Sequence, residues 1–322
     1  MAGMLGWGII GCGDVVEKKS GPSILQAGGS RIVGVMRRDA AKARPFAEAH
    51  GIALRTADAE EILRHPEVDI VYVATPPASH KEYVLAAAAA GKHVLVEKPM
   101  GLSAAEDHQM VAACEQAGVE LFVAYYRRFH PQVLKMKELI DSGRIGRPVT
   151  AQIDYAQPPA PNTAWGGGWR VQPDVSGGGL FVDVVSHRID LMIYLLGEPA
   201  EVRGLSVTVE PGSRVEQAVS LAVRFAGGTL CSISGGFASP RWADRFVIAG
   251  TKGVIEAANL DSHAFTLRAG DAAEEFRFEK LSAPHLGLIR HIERVLGGQE
   301  ANAAPGGHGL LTDSILDAGL HR

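Results

Sequence analysis

The chain has 322 residues, 46% hydrophobic and 21% charged, with 32 Lys and Arg against 36 Asp and Glu for a formal net charge of −4. That length suits about two domains of roughly 150 residues each, and the interspersed charge leaves no basic stripe for nucleic acid or for a membrane surface. No run reaches the ~18 apolar residues of a membrane span, Met1 to Gly13 lacks the basic flank of a secretory leader, and the scattered Cys12, Cys114 and Cys231 argue against a disulfide framework, so the expected location is cytoplasmic.

The first element is an apolar strand at Leu5 to Ile10, followed by the turn Gly11-Cys12-Gly13 and a helix over Val15 to Ala27 closed by Gly28-Gly29. Gly11 permits the tight turn, Gly13 lets the backbone approach a pyrophosphate, and Val16 stands where the helix must lie close on the strand. Asp14 and Val15 open the helix, whose free N–H groups and dipole suit phosphate. A glycine turn without a ligand is the alternative, but a second strand at Arg31 to Met36 completes a βαβ unit. Its end reads Val35-Met36-Arg37-Arg38 with no acid, so Arg37 and Arg38 are candidates for a 2′-phosphate and NADP(H) is the favoured cofactor. Asp39 in the adjoining loop keeps NAD(H) open, and two solvated surface arginines are the bland alternative.

The alternation continues with helices at Ala40 to His50 and Asp58 to Arg64, a strand at Val68 to Val73, a helix at Lys81 to Ala90 and a strand at His93 to Val96. A helix from Ser103 to Ala117, with Ser103 and Glu106 as a capping box, leads to a strand at Glu120 to Ala124. Residues 1–124 thus read as an α/β Rossmann domain with a doubly wound parallel sheet. Ligands sit beyond the carboxyl ends of such strands. Ala74-Thr75-Pro76-Pro77-Ala78-Ser79-His80 leaves one strand end stiffened by two prolines and could wall a nicotinamide pocket. Glu97-Lys98-Pro99 leaves another, where Lys98 can polarise a hydroxyl or carbonyl; a solvated Lys beside a Glu is the alternative.

Residues 125–322 read as an α+β second domain. Strands at Val149 to Tyr155, Ala200 to Val209, Ala218 to Phe225, Thr229 to Gly235 and Arg245 to Gly250 predict one open, mostly antiparallel sheet with a free face. An amphipathic helix at His285 to Leu296 is expected to pack back on the first domain. Asp183 and His187 are four residues apart in an apolar pattern that runs helically through Ile189, Leu191, Met192, Leu195 and Leu196 to Gly197, so both fall on one face, extended by Asp190. The preceding Gly177-Gly178-Gly179 lets backbone approach a ligand, and a neutral His is a usual proton acceptor; a structural Asp–His pair is the alternative. Tyr126, Arg128, Trp165, Trp169 and Arg170 are candidate substrate contacts, since amphipathic aromatics suit the apolar face of a ring and Arg suits hydroxyl or carboxylate oxygens. The dispersed histidines and absence of paired Cys spacing offer no metal site.

Taken together, these segments resemble the Gfo/Idh/MocA oxidoreductases, named for glucose–fructose oxidoreductase and inositol dehydrogenase. The resemblance covers nearly the full length and rests on Gly8-Ile9-Ile10-Gly11-Cys12-Gly13, Ala74-Thr75-Pro76-Pro77 with His80, Gly91-Lys92-His93-Val94-Leu95-Val96-Glu97-Lys98-Pro99, and Gly177-Gly178-Gly179 running to Asp183 and His187. It implies that Lys98 lies beside substrate and nicotinamide and that Asp183 and His187 complete the catalytic site; Thr75, Pro76, His80 and Glu97, at the same two strand ends, are candidate cofactor contacts. It also implies hydride transfer between a nicotinamide and a secondary alcohol or ketone of a sugar, cyclitol or related polyol, in a homodimer or homotetramer formed through the free sheet face. A trans-dihydrodiol or other non-sugar substrate, or a non-catalytic dinucleotide-binding sensor, are the alternatives. Val185 stands where the family usually has glycine, and its bulk is expected to narrow the pocket.

Overall fold

The computed structural model describes residues 3–158 and 168–320. It divides into two compact units: the first holds the chain up to Gly101 together with Ala105–Tyr126 and Ser282–Leu310, the second holds Leu102–Ala104, Arg127–Leu281 and the chain from Leu311 on.

In the first unit six parallel strands, β1 (Leu5–Ile10), β2 (Ser30–Met36), β3 (Leu54–Thr56), β4 (Ile70–Val73), β5 (His93–Val96) and β6 (Leu121–Val123), lie in the order β3-β2-β1-β4-β5-β6. Their runs of Val, Ile and Leu suit strands covered on both faces, and β4 is buried throughout. Trp7 on β1 has no exposed surface, and its indole N–H donates to Ser30 Oγ at 3.0 Å, a bond worth about 1 kcal/mol that spares the core an unpaired donor. Helices α1 (Gly21–Ala27), α2 (Arg44–Ala49), α3 (Ala59–Leu63), α4 (His80–Ala89) and α5 (Ala104–Ala117) connect the strands.

Two features depart from the sequence expectation. The helix predicted over Val15 to Ala27 opens as a π turn, Val16–Ser20, in which Gly21 N–H bonds Val16 O, before α1 begins. Pro22 is the physical reason: it has no N–H to close an α turn onto the Lys18 carbonyl, and its ring crowds that carbonyl. The strand β3 was not anticipated, because it is three residues long and buries Thr56 alone.

The second unit contains α6 (Pro131–Asp141), α7 (Pro173–Ser176), α8 (Ser186–Leu196) and an eight-stranded sheet of β7 (Pro148–Ala156), β8 (Pro199–Val207), β9 (Ala218–Phe225), β10 (Leu230–Gly236), β11 (Ala243–Gly250), β12 (Val254–Ala257), β13 (Ala264–Ala269) and β14 (Ala272–Arg277). The strand order is β14-β13-β12-β11-β7-β10-β9-β8, antiparallel except for the central β7–β10 pair. Alternation decides the faces: Val219, Leu221, Val223 and Phe225 join Ile233, Phe246 and Ile248 in a core with Met136, Ile189 and Met192 from the helices. The opposite face leaves Ser220, Ala222, Ser232 and Ser234 exposed, with Leu205 75% exposed at the β8 edge.

The last segment begins with α9 (Leu286–Leu296) in the first unit, where Glu293 Oε1 accepts from Ser30 Oγ at 2.6 Å and from Gly29 N–H at 3.1 Å. The helix α10 (Gly306–Leu320) follows, with Ile315 and Leu316 in the core of the second unit. Among the described residues no helix is long and apolar enough to cross a membrane, no group of three His, Cys, Asp or Glu side chains is placed to hold a metal ion, and the three cysteines are unbridged and buried.

Candidate functional site

In the first unit the glycine turn sits at the carboxyl end of β1. Gly11 has φ +100°, and a Cβ there would stand 2.7 Å from the Ala74 carbonyl carbon and 2.8 Å from Thr75 Cγ2, so this position needs glycine for conformation and for space. Gly11 and Cys12 N–H both donate to Met36 O at 3.0 Å, which ties the turn to β2. A Cβ on Gly13 would meet nothing nearer than Gly11 O at 3.9 Å, so the backbone lies open for a diphosphate at the start of the helical segment. Asp14 pairs its side chain with Lys18 at 2.8 Å, which leaves the main chain of Asp14 and Val15 as its means of meeting a phosphate. A nicotinamide dinucleotide therefore fits this turn.

The two arginines after β2 are not equivalent. Arg37 is drawn back, its Nη1 3.3 Å from Glu17 Oε1 and 3.4 Å from Lys42 O. Arg38 is exposed and neither hydrogen-bonded nor ion-paired to another described residue, so it is the better placed to meet a phosphate. Asp39 caps the following turn by accepting from Ala41 N–H at 3.2 Å and lies 3.5 Å from Lys42 in an exposed pair.

At the ends of β4 and β5 a buried clamp holds the segments that carry Thr75, Pro76 and Lys98. His80, expected at the cofactor, is fully buried instead: Nε2 faces Thr75 O at 2.7 Å, and Nδ1 faces Pro99 O and Met100 O at 3.1 Å each. Its ring is spent on three main-chain carbonyls, so it joins two loops and cannot reach a ligand. Ser79 Oγ donates to Thr75 Oγ1 at 2.8 Å, and Pro76 is extended at φ −65° and ψ 149°.

Glu97 is the second clamp. Its carboxylate accepts from Tyr72 Oη at 2.5 Å and from Lys98 N–H at 3.2 Å, and His285 Nε2 lies 3.9 Å away. Burial pushes the Glu97 carboxyl up, but His285, the Tyr72 hydroxyl and the Lys98 ammonium together hold it below the ordinary value. The fully buried His285 ring also stacks on Tyr126, with centroids 4.1 Å apart. Neither Tyr72 nor His285 was singled out from sequence; His285 read only as the start of the C-terminal amphipathic helix.

In the second unit Asp183 lies in a π turn, Phe181–Val185, and His187 in the first turn of α8. The regular helical spacing expected from Asp183 onward starts only at Ser186. Arg170 Nε pairs with Asp183 Oδ2 at 3.2 Å, and its guanidinium lies 4.5 Å over the ring of Trp169, so the three predicted residues meet. Trp165 falls outside the described residues.

Three further expectations are corrected here. Arg128, expected at the substrate, is 1% exposed: Nε lies 3.0 and 2.8 Å from the two oxygens of Asp190, and Nη2 lies 2.5 Å from Oδ1. Asp190, fully buried, therefore holds a core ion pair rather than extending the Asp183–His187 face. Val185 is fully buried in the hydrophobic core, so its bulk is absorbed there and does not narrow a pocket. The glycines of Gly177-Gly178-Gly179 also serve an internal purpose: Gly177 takes φ +77° at the end of α7, and Gly179 N–H bonds the carboxylate of Glu216, a residue the sequence reading passed over.

Residues 5–125 match the model of an oxidoreductase family with an NAD-binding Rossmann fold, and residues 133–256 match the GFO/IDH/MocA C-terminal domain. The chain belongs to the Gfo/Idh/MocA oxidoreductases. Within this family, Oxidoreductase P35 of Formosa agariphila is 38% identical to it over 281 residues, covering 87% of each chain. The 1,5-anhydro-D-fructose reductase of Ensifer adhaerens is 32% identical over 256 residues, covering 79% of this chain and 76% of the reductase. Among solved structures, the aldose-aldose oxidoreductase from Caulobacter crescentus complexed with glycerol superposes with a TM-score of 0.87 at 26% identity, over 98% of this Gfo/Idh/MocA chain and 96% of its own.

Proposed function

We propose that this oxidoreductase transfers a hydride between NADP(H) and a secondary alcohol or ketone of a sugar, cyclitol or related polyol. The observation that carries the reading is the Asp183 carboxylate paired with Arg170, which lies over Trp169, with His187 four residues on in the first turn of α8, in a chain related to an anhydro-sugar reductase. When bound, the nicotinamide supplies or accepts the hydride. The main chain of Gly11, Gly13, Asp14 and Val15 would hold the pyrophosphate, Arg38 a 2′-phosphate, and Thr75 and Pro76 would flank the nicotinamide.

The remaining chemistry belongs to side chains. His187 takes the hydroxyl proton at an imidazole nitrogen, which contributes roughly 10²- to 10⁴-fold. Lys98 Nζ stabilises the developing alkoxide from the end of β5, and Glu97 with its clamp holds the lysine's main chain. Asp183 orients the substrate, with Arg170, Trp169 and Tyr126 as further contacts. The open outer face of β8, β9 and β10, with Leu205, Ser220, Ala222, Ser232 and Ser234 exposed, suits self-association as a homodimer or a dimer of dimers, and a cytoplasmic location agrees with three unbridged cysteines.

The test is a panel of sugars, cyclitols and aromatic trans-dihydrodiols with NADP⁺ and NAD⁺, followed by absorbance of the reduced nicotinamide. Turnover of at least one polyol, faster with NADP⁺, is expected. Turnover of dihydrodiols alone would move the substrate class, and binding of nucleotide with no turnover across the panel would favour a sensor.

A further inference from the structure

The turn that presents Asp183 and His187 is held from outside by Glu216. Both carboxylate oxygens of Glu216 lie 2.9 Å from Gly179 N, and the residue is only 9% exposed. The glycines make room for it. A Cβ on Gly179 would stand 3.0 Å from Glu216 Oε1 and 3.0 Å from Val215 Cβ, and one on Gly178 would stand 2.4 Å from Val182 Cγ2 and 3.4 Å from Glu216 Oε2.

The segment that delivers the carboxylate is itself rigidly tied to the sheet. Gln217 N–H donates to Val207 O at 3.0 Å, Phe237 N–H donates to Gln217 O at 2.8 Å, and Gln217 Oε1 accepts from Val209 and Glu210 N–H. On the other side Gly179 O accepts from Asp183 N–H at 3.1 Å, which ties this glycine to the wide turn that precedes His187. A short chain of bonds thus runs from the sheet through Glu216 and Gly179 to Asp183. An anion at the free N–H end of a helical segment is favoured by charge and by hydrogen bonding.

We propose that Glu216 is a positioning residue for hydride transfer: its carboxylate pins Gly179 and thereby sets where Asp183 and His187 stand. The proposal rests on the reading that Asp183 and His187 are the substrate-side acid–base groups. Loss of the carboxylate leaves a buried N–H without its partner and frees the turn, and a displacement of about 1 Å near the reacting atoms costs up to about 10²-fold in rate.

The experiment compares Glu216→Ala, Glu216→Gln, Gly179→Ala and His187→Asn with wild type by steady-state kinetics and NADPH titration. Glu216→Ala should bind NADPH as wild type does, since the expected cofactor residues lie in the other unit, while kcat falls about 10- to 100-fold with a smaller change in KM. Glu216→Gln should recover most of the loss, because its amide oxygen can still accept from Gly179 N–H. Gly179→Ala should reproduce the fall in kcat with Glu216 intact, and it stands in as the test if Glu216→Ala fails to fold. Wild-type turnover in His187→Asn would overturn the catalytic reading. Loss in His187→Asn together with kcat within about twofold of wild type in folded Glu216→Ala or Gly179→Ala would overturn this proposal alone.

Discussion

Replacing Arg128 by Met separates two accounts of that residue. If its guanidinium met the substrate, the variant would fold normally and lose affinity. The structure instead buries it against Asp190 with both residues 1% exposed or less, and with its Nε and Nη2 in contact with the carboxylate. Removing one member of such a pair strands a charge in a low-dielectric core, which costs about 3–5 kcal/mol. For a unit of this size, at about 2–4 °C per kcal/mol, the thermal midpoint should fall by roughly 6–20 °C. Converting the pair to Arg128→Met with Asp190→Leu removes both charges and should restore most of the loss. Thermal unfolding followed by far-UV circular dichroism gives the stabilities, and substrate KM is measured in parallel. A midpoint within about 4 °C of wild type, equivalent to about 1 kcal/mol, combined with a large rise in KM would refute the buried-pair account.

Three further outcomes follow from the geometry. Arg38→Asp should lower the NADPH-to-NADH affinity ratio at least about tenfold, and Arg37→Asp should lower it less, because Arg37 is held by Glu17 and the Lys42 carbonyl; competitive titration with both nucleotides decides, and a larger effect from Arg37 would contradict the assignment. His80→Ala should destabilise the first unit by about 1–3 kcal/mol and slow turnover, since the buried ring that bridges the two loops, and the one N–H it donates when neutral, are lost; an unchanged thermal midpoint would contradict the clamp. Glu97 is held below its ordinary 4.5, so it contributes stability that is fully present above about pH 4.5 and is lost as pH falls through the lower folded value. Glu97→Gln should therefore flatten the acid limb of the stability profile, and an unaltered limb would show that Glu97 does not shape it.

The elements legible in the sequence were those whose pattern is local. The run Leu5–Ile10, its glycine turn and β2 follow from apolar continuity and from the positions only glycine tolerates, and alternation along β9 gave its buried face directly. β14, by contrast, has no buried residue from Ala272 to Arg277 and is held by pairing with β13, so no periodicity marks it. α10 opens with three glycines in four residues, which hides any helical signal there, yet Gly306 and Gly309 are small because Leu121 and Val123 press on them. Among the candidate site residues, Lys98, Asp183 and His187 could be proposed from motif and resemblance. What Arg128, His80 and Glu216 do was not legible, since each is decided by a partner far away in the chain: Asp190 is 62 residues from Arg128, the Pro99 carbonyl 19 from His80 and Gly179 37 from Glu216. The same long-range dependence hid the π turn at Phe181–Val185, which follows a glycine whose N–H is bonded by a carboxylate 37 residues away.

The most direct measurement of the central claim is turnover by Lys98→Met with NADP⁺ and the best polyol from the substrate panel, beside NADPH titration of the same preparation. The account predicts NADPH affinity within about threefold of wild type and a turnover number lower by roughly 10²- to 10³-fold, the loss expected when a charge that stabilises a developing alkoxide is removed. An unchanged turnover number in the folded, nucleotide-binding variant would contradict it.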